Sequence, residues 1–142
     1  MKCYVWSVLL YGSETWTVRK KEKDKIMALE MRIWRKMQKI SWVEKISNEE
    51  VMTRINESRK LWNIIQKRKA RWLGHIMRGT TITSVALEGT VEGEKRKGRK
   101  KVKMVDDIKK GRRYAEMKRH ADNREGWRTQ WCPGPATRQN TR

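Results

Sequence analysis

Between Val18 and Ile40 the apolar residues Ile26, Leu29, Ile33, Met37 and Ile40 recur at steps of three and four, with Met27, Met31 and Trp34 widening the stripe. That is the period at which side chains line one face of an α-helix; a half-buried strand would alternate at every second residue. A helix with one apolar face must bury it against another element, so the stripe commits this part of the chain to helix packing. The period returns at Leu61, Ile65, Trp72 and Ile76 and predicts a second long helix over Ser58 to Met77, with Arg59, Lys60, Lys67, Arg68, Lys69 and Arg71 on its other face. Ile26, Leu29, Ile33, Trp34, Ile65 and Trp72 are then expected to share one small core.

The connecting segments are read from their punctuation. Tyr4 to Leu10 is a short apolar run that leaves a strand or a helical turn open, and helix is the reading taken. Gly12 and Ser13 break it, and Thr17 is the expected N-cap of the first long helix. Ser47 with Glu50 has the spacing of a capping box, followed by the short apolar face Val51, Met52 and Ile55. Gly79 and the cluster Thr80 to Ser84 end the second long helix. Beyond them a small hairpin is expected around Val85 to Val91, a short helix at Val102, Val105 and Ile108, and another helix over Tyr114 to Arg128. From Pro133 to Arg142 two prolines, a glycine and the lack of apolar period predict disorder. The expected fold is mainly α: a small helical bundle with a basic, partly disordered C-terminal segment. Its divisions are 1–17, a bundle over 18–79, a basic segment with short helices over 80–132, and a tail over 133–142.

Charge narrows the partners. With 36 Lys and Arg against 16 Asp and Glu the 142-residue chain carries a formal +20, and only 37% of it is hydrophobic. Such a chain repels itself and seeks a polyanion, nucleic acid first and an anionic membrane surface second. No segment reaches the roughly eighteen apolar residues of a membrane span. Tyr4 to Leu10 is followed by no cleavage-site pattern, so the expected location is nucleus or cytoplasm rather than secretion. Cys3 and Cys132 are too few for a disulfide framework.

The candidate nucleic-acid-binding residues fall into three groups. Lys95 to Lys103 reads KRKGRKKVK and supplies Lys95, Arg96, Lys97, Arg99, Lys100, Lys101 and Lys103 with no acid among them. Arg19, Lys20, Lys21, Lys23 and Lys25 crowd the start of a helix, where positive charge opposes the dipole and only Glu22 and Asp24 offset it. Arg68, Lys69 and Arg71 lie on the second long helix. Trp34, Trp62 and Trp72 fit core stripes better than stacking platforms.

Nothing in the sequence points to catalysis. Asp106 and Asp107 in MVDD superficially match the paired carboxylates of a polymerase palm, but Met104 stands where an aromatic is expected, and Lys103, Lys109 and Lys110 flank them. They read as an exposed acidic step. His75 and His120 are each alone, no phosphate-binding glycine loop is present, and no metal or cofactor is expected.

Leu9 to Arg19 (LLYGSETWTVR) and Arg71 to Arg78 (RWLGHIMR) resemble the segment that follows the palm in reverse transcriptases of non-LTR retrotransposons. Ala121 to Arg128 (ADNREGWR) resembles the far C-terminal part of the same endonuclease/reverse transcriptase proteins. The resemblance implies a palm-to-thumb junction at Tyr11, Gly12, Glu14 and Trp16 and a thumb packing element at Trp72, Leu73, Gly74 and His75. It implies a helical thumb that grips the backbone of a primer-template, beside a palm that carries the catalytic aspartates elsewhere in the parent RNA-directed DNA polymerase. On this reading the chain is a fragment of a transposable element's polymerase and is not an enzyme on its own. Gly98, Arg99 and Lys100 depart from the family's Gly-Arg-Pro step. Two alternatives stand beside it: a translated retroelement relic without function, and an independent small basic nucleic-acid-binding protein.

Overall fold

The computed structural model describes residues 4–89, 98, 103–109 and 111–131. Among them eight α-helices and two 3₁₀ turns are found and no strand, so the mainly helical expectation holds. The chain divides into two units, and the division falls inside the second long helix rather than at its end. Unit 1 comprises Met1–Tyr11 and Val18–Ile65; unit 2 comprises Gly12–Thr17 and Gln66–Arg142.

Unit 1 holds α1 (Val5–Leu9), α2 (Lys20–Met37), a 3₁₀ turn (Trp42–Glu44), α3 (Asn48–Arg54) and the first residues of α4 (Leu61–Arg78). The run Tyr4 to Leu10 is thus helical. α2 begins two residues later than expected: Arg19 is its N-cap, and the Glu22 carboxylate accepts the Arg19 backbone N–H at 3.0 Å, so Thr17 plays no capping part. It also ends three residues early. Lys39 takes the left-handed conformation at φ 56, Lys39 donates to the Lys36 carbonyl and Ile40 to that of Arg35, a Schellman closure that turns Ile40 back towards the core. α3 ends in the same way at Asn56 (φ 49). Neither stop carries a glycine, which is why the sequence did not announce it. At the start of α3 the Ser47 hydroxyl accepts the Glu50 N–H at 3.2 Å, one half of the expected capping box, while the Glu50 carboxylate pairs with Arg54 at 2.8 Å.

In unit 1, Met31, Trp34 and Val51 form one buried cluster, with Ile40, Ile46, Met52 and Ile55 packed around them. Trp6, Leu10, Val18, Leu61 and Ile65 of the same unit are buried as well. Leu29, expected inside, is 37% exposed, while Glu30 beside it is 1% exposed. Its burial has a reason: Glu30 Oε1 accepts the backbone N–H groups of Lys60 and Leu61 at 3.0 and 3.1 Å and so caps α4, whose own N-cap position holds a lysine. The cap comes from a distant helix, and α4 starts at Leu61 rather than Ser58.

Unit 2 is built from the remainder of α4, α5 (Ile82–Glu88), α6 (Asp106–Lys109), α7 (Tyr114–Asp122) and α8 (Arg124–Trp131). Ala70, Leu73 and Met77 of α4 pack with Val105, Ile108, Met117, Ala121, Trp127 and Trp131. Trp72, expected in a common core with α2, lies against this cluster instead. The hairpin expected at Val85 to Val91 is corrected to α5: Gly89, at φ 70, ends a helix whose Ser84 is buried while Ile82 and Val85 are exposed. Tyr114 to Arg128 is two helices rather than one. Asn123 leaves helical geometry, and its side-chain oxygen accepts the Gly126 N–H at 2.9 Å, starting α8 afresh. Residues 133–142, for which disorder is expected, lie outside those described.

Candidate nucleic-acid interface

On α2 the side chains of Arg19, Lys20, Lys21 and Lys25 are exposed, and no carboxylate pairs with them among the described residues. The free N–H groups of the first turn give this helix end a partial positive charge, so four cations there have no local compensation beyond Glu22 and Asp24. Lys23 is set apart from them: its ammonium lies 5.3 Å from the centre of the Trp62 ring, a cation–π contact that anchors it within unit 1.

The second group divides. Arg71 is exposed, and Arg68 is exposed with its guanidinium 3.7 Å from Glu14. Lys69 is no surface cation, and its assignment to the binding surface is corrected. Its side chain is 1% exposed, and its ammonium donates to both Asp107 oxygens at 2.9 and 2.7 Å and to the Trp16 carbonyl at 2.6 Å. Asp107 is therefore the counter-charge of a buried lysine rather than an exposed acid. Gln66 donates to it as well, at 3.4 Å. Asp106 is exposed and accepts the Lys103 backbone N–H at 2.7 Å. The two neighbouring carboxylates thus serve two structural tasks. Among the described residues no group of three His, Cys, Asp or Glu side chains converges as metal ligands would. Lys103 is exposed; Lys95, Arg96, Lys97, Arg99, Lys100 and Lys101 lie outside the described residues.

A third feature was not read from the sequence. Unit 1 carries an open groove of about 970 Å³ between α2, the segment after it and the residues ahead of α3 and α4. Met27, Met31, Ile40 and Ile46 supply apolar lining, while Arg32, Lys36, Lys45 and Arg59 are exposed cations at the same groove. Arg35 is held back by hydrogen bonds to the Ile46 carbonyl and the Asn48 side chain. Asp24 is the one acid in the lining. These cations are scattered singly in the sequence, and the one available signal was the pair Arg32 and Lys36, four residues apart on α2.

In unit 2 the indole of Trp127 lies directly on Gly74. A β-carbon at that glycine would stand 2.8 Å from Cδ1 and 2.9 Å from Cε2 of the ring, inside any normal contact. The same indole donates its N–H to the Ala70 carbonyl at 2.9 Å and stacks on Trp131 with ring centres 4.9 Å apart. Arg112 covers the other partner of the stack, 5.0 Å from the Trp131 ring centre. Nearby, the Tyr114 hydroxyl is held above its ordinary pKa of 10.0, first by burial and then by the Glu88 carboxylate, against a smaller opposing influence of Lys118.

No protein-family model, curated protein or solved structure matches this chain. Among the described residues, no helix is long and apolar enough to cross a membrane.

Proposed function

We propose that this chain is the non-catalytic, post-palm part of a non-LTR retrotransposon reverse transcriptase, and that it holds nucleic acid by the sugar-phosphate backbone in nucleus or cytoplasm. The observation that carries the binding is the cluster of Arg19, Lys20, Lys21 and Lys25, exposed and unpaired at a helix end that already favours anions. The formal charge of +20 acts in the same direction over the whole chain. Support for the retroelement part is narrower. The middle of the first string, Gly12–Thr17, falls in the same unit as the other two: Trp16 is tied to α4 through Lys69, and Trp127 of the third string seats on Gly74 of the second.

Backbone binding releases condensed counterions, so log K against log salt falls with a slope of about -0.9 per phosphate contact on duplex. Replacing Arg19, Lys20, Lys21 and Lys25 together by Gln is expected to flatten that slope by one or more contacts without loss of helical content. A further flattening is expected when the seven basic residues of Lys95 to Lys103 are changed to Gln. Slopes unchanged in both variants would remove these residues from the binding surface. A strong preference for one duplex over its scrambled counterpart would replace backbone holding with base readout.

A further inference from the structure

The groove of unit 1 combines two chemistries that nucleic acid does not need together. Phosphates require cations, and Arg32, Lys36, Lys45 and Arg59 provide them with no carboxylate partner among the described residues. The lining between them, however, is made by Met27, Met31, Ile40 and Ile46, and phosphates gain nothing from thioether and alkyl groups. Bases would need rings to stack on, and among the described side chains that line the groove none is aromatic.

We infer that this groove receives an acidic amphipathic helix from a protein partner, with aliphatic side chains on the methionine and isoleucine lining and Asp or Glu opposite the cations. Three features define that occupant. Met27 is half-buried on α2, and Met31, one helical turn on, is the buried floor of the groove, a spacing at which a partner helix presents successive apolar anchors. Methionines adapt to differently shaped side chains, so the lining fits a class of apolar sequence rather than one residue. Arg32 and Lys36 on α2 and Lys45 and Arg59 from the connecting segments bring positive charge to the groove from separate parts of the chain, so acids of the partner helix find partners there. A volume of about 970 Å³ lies at the upper end of the roughly 300–1,000 Å³ typical of ligand pockets, room for more than one anchor. The inference does not rest on the nucleic-acid reading, whose cations lie at the start of α2.

The test uses the full chain and a fluorescent helical peptide with Leu at positions i, i+3, i+4 and i+7 and Glu on both flanks. Its companions are a scrambled peptide of the same composition and a 20-base-pair duplex. Binding of the amphipathic peptide, read by anisotropy at 0.15 M salt, is expected to be at least about tenfold tighter than that of the scrambled one, with a gain in peptide helicity. Arg59→Glu, in an exposed connecting segment, is expected to weaken it several-fold, and Met27→Gln likewise while leaving duplex affinity unchanged. Equal binding of both peptides would overturn the inference, because charge alone would then explain it. Loss of duplex binding in Met27→Gln, or full displacement of the peptide by duplex, would assign the groove to nucleic acid instead. Arg19→Gln together with Lys20→Gln is expected to lower duplex affinity only, which separates failure here from failure of the proposed function.

Discussion

The two units close their cores by different means. Unit 1 buries Trp6, Leu10, Val18, Met31, Trp34, Val51, Leu61 and Ile65, and a broad cationic groove opens beside Met31. Unit 2 concentrates nine buried residues in one cluster, seats a tryptophan on a helical glycine and buries a lysine with its counter-ion. A highly charged chain can therefore keep a cationic groove open beside a packed core in one region and draw a charge into the core of another.

The sharpest way to break that contrast is to remove the centre of unit 2. Trp127→Ala is expected to cost about 3 to 5 kcal/mol, because it empties the space over Gly74 and strands the contact with Trp131. Thermal or denaturant unfolding followed by circular dichroism would measure it. A cost under about 1 kcal/mol would mean that the unit is not held by this cluster.

The buried pair gives the next effect. Asp107→Asn leaves the Lys69 ammonium without a counter-charge at 1% exposure and is expected to destabilise by about 3 to 5 kcal/mol. Converting both, Lys69→Met with Asp107→Leu, should recover most of that loss, because an apolar pair of similar volume needs no desolvation of charge. If the double variant is as unstable as the single one, the hydrogen bond from Lys69 to the Trp16 carbonyl, and not the ion pair, is what secures residues 12–17.

Gly74→Ala tests the close approach from the other side. The added methyl meets the Trp127 ring and is expected to cost about 1 to 3 kcal/mol, in spite of the better helix propensity of alanine. Pairing it with Trp127→Leu should return part of the loss if the clash is its cause.

These variants also mark where the sequence was legible. Helical periodicity located α2 and α4, because the stripe is a local property of each segment, and the Ser47 cap was readable because donor and acceptor are three residues apart. Glu30, Lys69 and Asp107 were not readable. Each is a charged residue, Glu30 and Lys69 buried and Asp107 half-buried, held by a partner about thirty to fifty positions away, and local pattern treats a charge as surface. The core of unit 2 was missed for a related reason: Met117, Ala121, Trp127 and Trp131 stand among basic and polar neighbours, and their apolar stripe shows only once Asn123 is known to split the segment. The groove cations lay in no charge run, so a search for runs could not find them.

The smallest expected effect is a titration that separates the units by their tyrosines. Tyr4 and Tyr11 of unit 1 are 83% and 86% exposed, whereas Tyr114 of unit 2 is partly buried beside Glu88. In a Tyr4→Phe, Tyr11→Phe variant the tyrosinate absorbance reports Tyr114 alone, and its midpoint is expected above 10.0. Burial disfavours the phenolate and the Glu88 carboxylate repels it, so the folded state keeps the proton to higher pH than the unfolded chain does. The stabilisation that accompanies this shift is fully present below 10.0 and is lost as pH rises through the folded value, so unfolding should become easier in the alkaline range. Lys118, whose pKa is raised chiefly by its hydrogen bond to Glu88, works in the same direction. Glu88→Gln should lower the Tyr114 midpoint yet leave it above 10.0, because burial is the larger cause. A midpoint at or below 10.0 in the Tyr4→Phe, Tyr11→Phe background would place the Tyr114 ring in water and open the edge of the unit 2 core that it covers.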